Sequence, residues 1–97
     1  MAKYLVLWEL DESKIPDDLK ERKAAWLAAQ EAVAAQMKSG LVKDWGNFLG
    51  VTAGFTIEVG DPEEVLAGHL QWIPFCRMKV YPFVSLDEAQ ASLKKSG

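Results

Sequence analysis

Sulfur, histidine and basic charge are all scarce in this chain. Its 97 residues include one cysteine, Cys76, and one histidine, His69. A single cysteine permits no disulfide within the chain and fits a reducing, cytoplasmic setting. One histidine, with no cysteine or carboxylate at ligand spacing, excludes the usual zinc patterns, so no metal is expected. Lys and Arg number 11 against 14 Asp and Glu, a net charge of −3. A nucleic-acid binder working through its overall field needs the opposite balance. The basic clusters at Lys20, Arg22 and Lys23 and at Lys94 and Lys95 are short and read as solvated helix surface. Long apolar runs are missing too. Tyr4 to Trp8 is far too short to span a bilayer, and the N-terminus lacks the apolar region and cleavage site of a signal peptide. There is no glycine-rich phosphate loop: Gly46, Gly50 and Gly54 recur every four residues, unlike G-x-G-x-x-G before a helix. No nucleotide, flavin or haem motif is found, so no cofactor is expected. These absences predict a soluble cytoplasmic protein with neither nucleic acid nor membrane as partner.

Apolar residues, by contrast, are plentiful. They make up 49% of the chain, which argues against disorder. The length allows one domain, residues 1–97, whose core is small enough that a second copy would help stabilise it. "YLVLWEL", Tyr4 to Leu10, is apolar on both faces until Glu9 and predicts a strand buried on both sides. "DDLKERKAAWLAAQEAVAAQMKSG" is the clearest helix. Leu19, Trp26 and Val33 recur every seven residues beside Ala29 and Met37, and Gly40 supplies the stop. Leu41–Gly50 and Thr52–Val59 are two strand candidates; in the second, Phe55, Ile57 and Val59 alternate with Thr56 and Glu58. Asp61 to Pro74 predicts a short helix, with Asp61 as N-cap, Pro62 at the first position and Glu64 at capping-box spacing. Its inner stripe runs through Val65, Leu66, His69, Trp72 and Ile73. Pro74 to Val84 predicts the last strand. "SLDEAQASLKK" repeats the capping pattern, Ser85 with Glu88, and ends in two lysines.

The order is therefore β-α-β-β-α-β with a C-terminal helix. It predicts an α+β, ferredoxin-like domain: an antiparallel sheet of order 4-1-3-2 with two helices on one face. The last strand has two dissimilar sides. Cys76, Met78, Val80 and Val84 share one; Phe75, Arg77, Lys79, Tyr81 and Phe83 share the other. Helices cover only one sheet face, so Cys76, Met78 and Val80 are expected beneath them with Phe55, Ile57 and Val59. The opposite face would carry the cations and aromatics with Thr56 and Glu58. That mixture suits a second copy packing sheet to sheet, giving a homodimer or higher homo-oligomer with a pocket for polar groups. The terminal segment Ser85–Lys95 is expected on the partner or on its own sheet edge.

Residues Gly54 to Leu86, "GFTIEVGDPEEVLAGHLQWIPFCRMKVYPFVSL", resemble the muconolactone-isomerase-like members of the dimeric α/β-barrel superfamily. The likeness lies in a strand, a helix opening D-P-E-E-V-L, then a proline, an aromatic and a strand ending V-x-P-F. Pro62, Leu66, Leu70, Pro74 and Val80 carry it, and all five look architectural. The resemblance implies a dimeric α/β barrel. It also implies activity without a cofactor, as an isomerase or oxygenase acting on a small unsaturated or aromatic acid. A non-catalytic dimeric module that binds a small molecule, or simply assembles, is the alternative.

The candidate site residues follow from chemistry. Glu9 at the end of the first strand would lie near Arg77 or Lys79. That pairing reads either as an ion pair or as a cationic site for a small aromatic or unsaturated carboxylate with a carboxylate base beside it. His69 reads either as a packed histidine or as a general base at a pocket. The catalytic candidates are thus Glu9 and His69. Arg77, Lys79, Tyr81, Trp8 and Trp45 are the substrate-binding candidates. Four tryptophans is a high count for 97 residues. Trp26 and Trp72 are expected in helix–sheet packing, and Trp8 and Trp45 at a cavity or dimer interface. Cys76 is expected to be buried and inert.

Overall fold

The computed structural model describes residues 2–96. The elements are β1 (Lys3–Leu10), α1 (Leu19–Ser39), β2 (Val42–Asn47), β3 (Ala53–Val59), α2 (Pro62–Leu70), β4 (Cys76–Phe83) and α3 (Leu86–Ser96), with a 3-10 turn at Glu12–Lys14. The four strands form one antiparallel sheet in the order β2-β3-β1-β4. This is the expected 4-1-3-2 order read from the other edge. Pro82 is tolerated in β4 because that strand lies at an edge of the sheet.

Local chemistry explains the helix ends. Asp18 caps α1 by accepting from the Glu21 N–H at 3.0 Å, and Gly40 closes it in the left-handed region at φ 92°. In α3 the reciprocal capping box forms: Glu88 N–H donates to Ser85 Oγ at 3.2 Å and Ser85 N–H to Glu88 Oε1 at 3.0 Å. Asp61, expected to cap α2, makes no side-chain cap hydrogen bond. Pro62 sits at the head of that helix instead. It has no N–H to satisfy, so less is left for a cap to do.

Register assigns the two sheet faces. Residues directly paired across strands share a face, so Val6, Thr56 and Val80 lie together, as do Leu5, Ile57 and Tyr81. The first set looks toward α1 and α2. Val65 of α2 packs on Tyr4 and Val6, with Leu41 and Met78 alongside. The second set lies on a face that none of the described helices covers. The expectation for β4 holds for Cys76 and Met78, but Val80 is exposed and Phe75, expected on the opposite face, lines the helix side just before the strand begins; the expectation for β3 is reversed. Thr56 and Glu58 point to the helices and Phe55, Ile57 and Val59 point away. An alternating strand obeys either parity equally well; pairing to β1 decides it.

The layer between sheet and helices is only partly filled. Its buried apolar residues are Tyr4, Val6, Val42 and Val65, and α1 has no fully buried residue. Leu19 and Met37, expected on the packed stripe of α1, are exposed. Trp26, Ala29 and Val33 face the sheet across a cavity rather than touching a closed core. The helix α3 leaves the end of β4 and stays open, with Leu86 and Leu93 each 73% exposed. The chain measures 59 × 25 × 18 Å with a radius of gyration of 15.8 Å. A compact chain of this length would be nearer about 12–13 Å.

Candidate functional site

The cavity between the sheet and the helices has a volume of about 820 Å³. Such a volume suits a small organic ligand. Its floor includes Val6, Trp8, Thr56, Glu58 and Met78, and α1 roofs it. The chain after α2 adds Trp72 and Phe75 to the lining. All four tryptophans of the sequence line this one space. Trp26 and Trp72, expected in helix–sheet packing, are thus cavity walls.

Glycine shapes the aromatic part of the floor. Trp8 on β1 and Trp45 on β2 stack with centroids 5.7 Å apart and planes inclined by 15°. The strand between them is β3, where Gly54 pairs with both Trp8 and Asn47. A Cβ at Gly54 would collide with the Trp8 indole and with the Gly46 carbonyl. The missing side chain lets the indole of Trp8 lie across β3 and reach Trp45. Asn47 also lines the cavity, and its amide donates to the carbonyls of Phe48 at 2.9 Å and Val51 at 3.1 Å. Those bonds hold the β2–β3 turn at the cavity wall.

The polar part of the floor is concentrated on one carboxylate. Glu58 is 4% exposed. Thr56 Oγ1 donates to its Oε2 at 2.6 Å, and His69 Nε2 stands 2.8 Å from its Oε1. With a proton on Nε2, His69 donates to Glu58, so the carboxylate is held from both sides. Thr56 and Glu58 are brought together by the period of two along β3. His69 arrives from the last turn of α2, which the Val65 contact positions against the sheet. A buried carboxylate is costly unless paired and hydrogen-bonded; this one has both partners and still borders the cavity. Cys76 lines the same space, and burial pushes its thiol above the usual range. The Trp8 and Trp26 indole N–H groups are buried without a partner among the described residues.

The sequence candidates divide between the two faces. His69, Trp8 and Trp45 converge on the cavity. Glu9 pairs with Arg77 across β1 and β4 as expected from strand order, but with Lys79 and Tyr81 they sit on the uncovered face. None of these four lines the cavity. The reason is parity: 77, 79 and 81 alternate with the inward Cys76 and Met78. Glu9 and Arg77 form no ion pair within 4 Å among the described residues; the pairs there are Lys3–Glu88 and His69–Glu58. Neither a metal cluster nor a helix able to cross a membrane occurs among the described residues.

A family profile spans residues 2–97. The chain belongs to the family described as "Domain of unknown function (DUF3303)". No curated protein matches it. Family membership thus brings no reaction with it, and the chemistry has to be read from the cavity. Glu58 is the residue that sequence reasoning placed on the wrong face. A signal for it existed: β1 and β4 carry apolar residues on both faces, so an apolar set on β3 does not identify the helix side.

Proposed function

We propose that the protein is a small cofactor-free enzyme whose acid–base chemistry is carried by Glu58 and His69 on an unsaturated or aromatic compound. One observation carries this reading: a buried carboxylate, hydrogen-bonded by Thr56 and His69, borders a cavity lined by four tryptophans. An apolar pocket into which a few polar groups converge is the default candidate for a binding or active site. Glu58 is the base and His69 the positioning partner. In an isomerase step Glu58 takes a proton from the carbon beside a carbonyl, and the C–H electron pair moves into the conjugated enolate. The same proton returns at the far carbon, so nothing else is consumed. In the oxygenase variant dioxygen enters as co-substrate: the carbanion carbon bonds to one oxygen, the resulting peroxide takes the proton back from Glu58, and loss of water from the hydroperoxide leaves a new carbonyl. The likeness of Gly54–Leu86 to muconolactone-isomerase-like proteins of the dimeric α/β-barrel superfamily supports the isomerase form.

The test is proton exchange. A β,γ-unsaturated lactone incubated in D₂O should exchange or isomerise by NMR, and Glu58→Gln should slow this at least a hundredfold, within the range for a lost general base. Oxygen uptake with phenolic substrates tests the second form. Binding without exchange, isomerisation or oxygen uptake would overturn the enzyme reading in favour of a non-catalytic binding module.

The partner in this reading is a second copy of the chain, in a cytoplasmic setting consistent with the lone thiol. The uncovered sheet face presents Leu5, Leu7, Phe55, Ile57, Tyr81 and Phe83. Four strands of this length span about 19 by 25 Å. Glu9 and Arg77 at one end of that face offer complementary charge. The projecting α3 has an apolar stripe, Leu86 and Leu93, that the chain itself leaves open. A copy packed sheet to sheet covers both and forms the barrel. Sedimentation at micromolar concentration should give twice the chain mass, and Ile57→Arg should halve it. A parent protein that sediments as a monomer would defeat this part.

A further inference from the structure

We infer that the ligand meets Glu58 with an uncharged hydrogen-bond donor, an acidic C–H or O–H on a flat ring system, and not with a carboxylate. This rests on the reading of the cavity as the ligand site and narrows what the site accepts. The lining holds one carboxylate, Glu58, one histidine already paired to it, and one lysine, Lys14. It contains no arginine. Lys14 lies on the loop after β1 and is exposed, so its charge is largely screened by water. The cations that would suit a carboxylate, Arg77 and Lys79, are on the opposite sheet face. An anion brought to the floor would therefore face Glu58 in a poorly screened environment, with His69 already engaged. Glu58 has acceptor capacity beyond its bonds to Thr56 and His69, since a carboxylate offers about four lone-pair sites. A neutral donor satisfies that capacity; an anion repels it.

The rest of the lining fixes the ligand's body. Trp8, Trp26, Trp45, Trp72 and Phe75 offer aromatic surface on several sides. The stacked Trp8–Trp45 pair supplies a flat platform beside the carboxylate, and flat rings bind such surfaces by offset stacking. A volume of about 820 Å³ accommodates two or three fused rings.

The experiment compares two probes that share a ring system, 2-naphthol and 2-naphthoate, by titration calorimetry at pH 7. The naphthol should bind at least tenfold more tightly. Glu58→Gln should weaken the naphthol and strengthen the naphthoate, shrinking or reversing the preference. Trp45→Leu should weaken both probes together and leave their ratio. Tighter binding of the naphthoate, or a ratio unchanged by Glu58→Gln, overturns the inference while leaving the cavity as a ligand site. If neither probe binds below millimolar concentration, the ligand-site reading falls with it. Preference for the naphthol without any catalysed exchange would sink the enzyme reading alone.

Discussion

Replacing His69 with alanine leaves the Glu58 carboxylate with Thr56 as its one protein partner. The contact removed is a 2.8 Å hydrogen bond between side chains only 14% and 5% exposed. Removing the partner of a buried carboxylate costs up to about 3–5 kcal/mol, because the remaining charge stays desolvated. The adjoining cavity admits water, which offsets part of that cost, so a loss of about 2–4 kcal/mol is expected, nearer the value for a charge-assisted hydrogen bond. That is a large fraction of the about 5–15 kcal/mol that stabilises an ordinary domain. With a urea slope of about 1.5 kcal/mol per molar, the midpoint should fall by about 2 M. Glu58→Gln should cost less, since an amide tolerates burial better than an orphaned carboxylate. The double variant, Glu58→Gln with His69→Ala, should be no less stable than His69→Ala alone, giving a coupling of at least about 1 kcal/mol. Urea unfolding of the four proteins measures this. A loss below about 1 kcal/mol for His69→Ala, or strictly additive single losses, would refute the claim that the pair is one buried unit.

Gly54→Ala should destabilise the fold by about 1–3 kcal/mol through overpacking, because the new methyl meets both the Trp8 indole and the rigid Gly46 carbonyl. It should also abolish the coupled near-UV circular dichroism of the Trp8–Trp45 stack; an unchanged spectrum would show that the indole does not depend on that gap. Hydrogen bonds from Lys3 and from the Ser85 N–H and hydroxyl pull the Glu88 carboxyl down to about 2 from 4.5. A depressed folded value means that this tether of α3 to β1 is at full strength above pH 4.5 and is lost as pH falls toward 2. The protection of the α3 amides, taken relative to their intrinsic exchange rate at each pH, should fall over that window, and Glu88→Gln should remove the pH step. Cys76, whose thiol is raised from 9.0 by burial, should alkylate more slowly than a free cysteine at neutral pH. Its rate should climb above pH 9, and a ligand in the cavity should slow it further; rapid labelling at pH 7 would contradict its burial.

Much of the architecture was legible in local chemistry. The Asp18 cap, the left-handed Gly40 and the Ser85–Glu88 box mark helix ends by bonds formed within a few residues. The alternation of β3 and β4 is equally local. Strand order followed from connection rules, and with it the placement of Glu9 opposite Arg77. The candidate site was legible only in pieces. His69, Trp8 and Trp45 were identified from their chemistry, whereas Arg77, Lys79, Tyr81 and Glu9 lie on the face away from the cavity. Pattern alone treats the apolar side of a strand as the covered side. That inference fails when both faces of a sheet are apolar, as the Leu5–Ile57–Tyr81 row demonstrates.

The sequence by itself determined which segments become helix or strand and marked the ends of α1, because caps, breakers and periodicity act over one or two turns; α2, expected to run to Pro74, stops at Leu70. It also determined that the last strand has one apolar side and one side that is both aromatic and charged. Only the tertiary structure decided which side of β3 meets the helices. That choice depends on its register with β1, and a shift of one residue would exchange every side chain. The same register put Glu58 beneath His69, eleven residues away in sequence, and left a cavity where α1 stands off the sheet. No local rule contains that distance, since it depends on how a whole helix seats over a whole sheet.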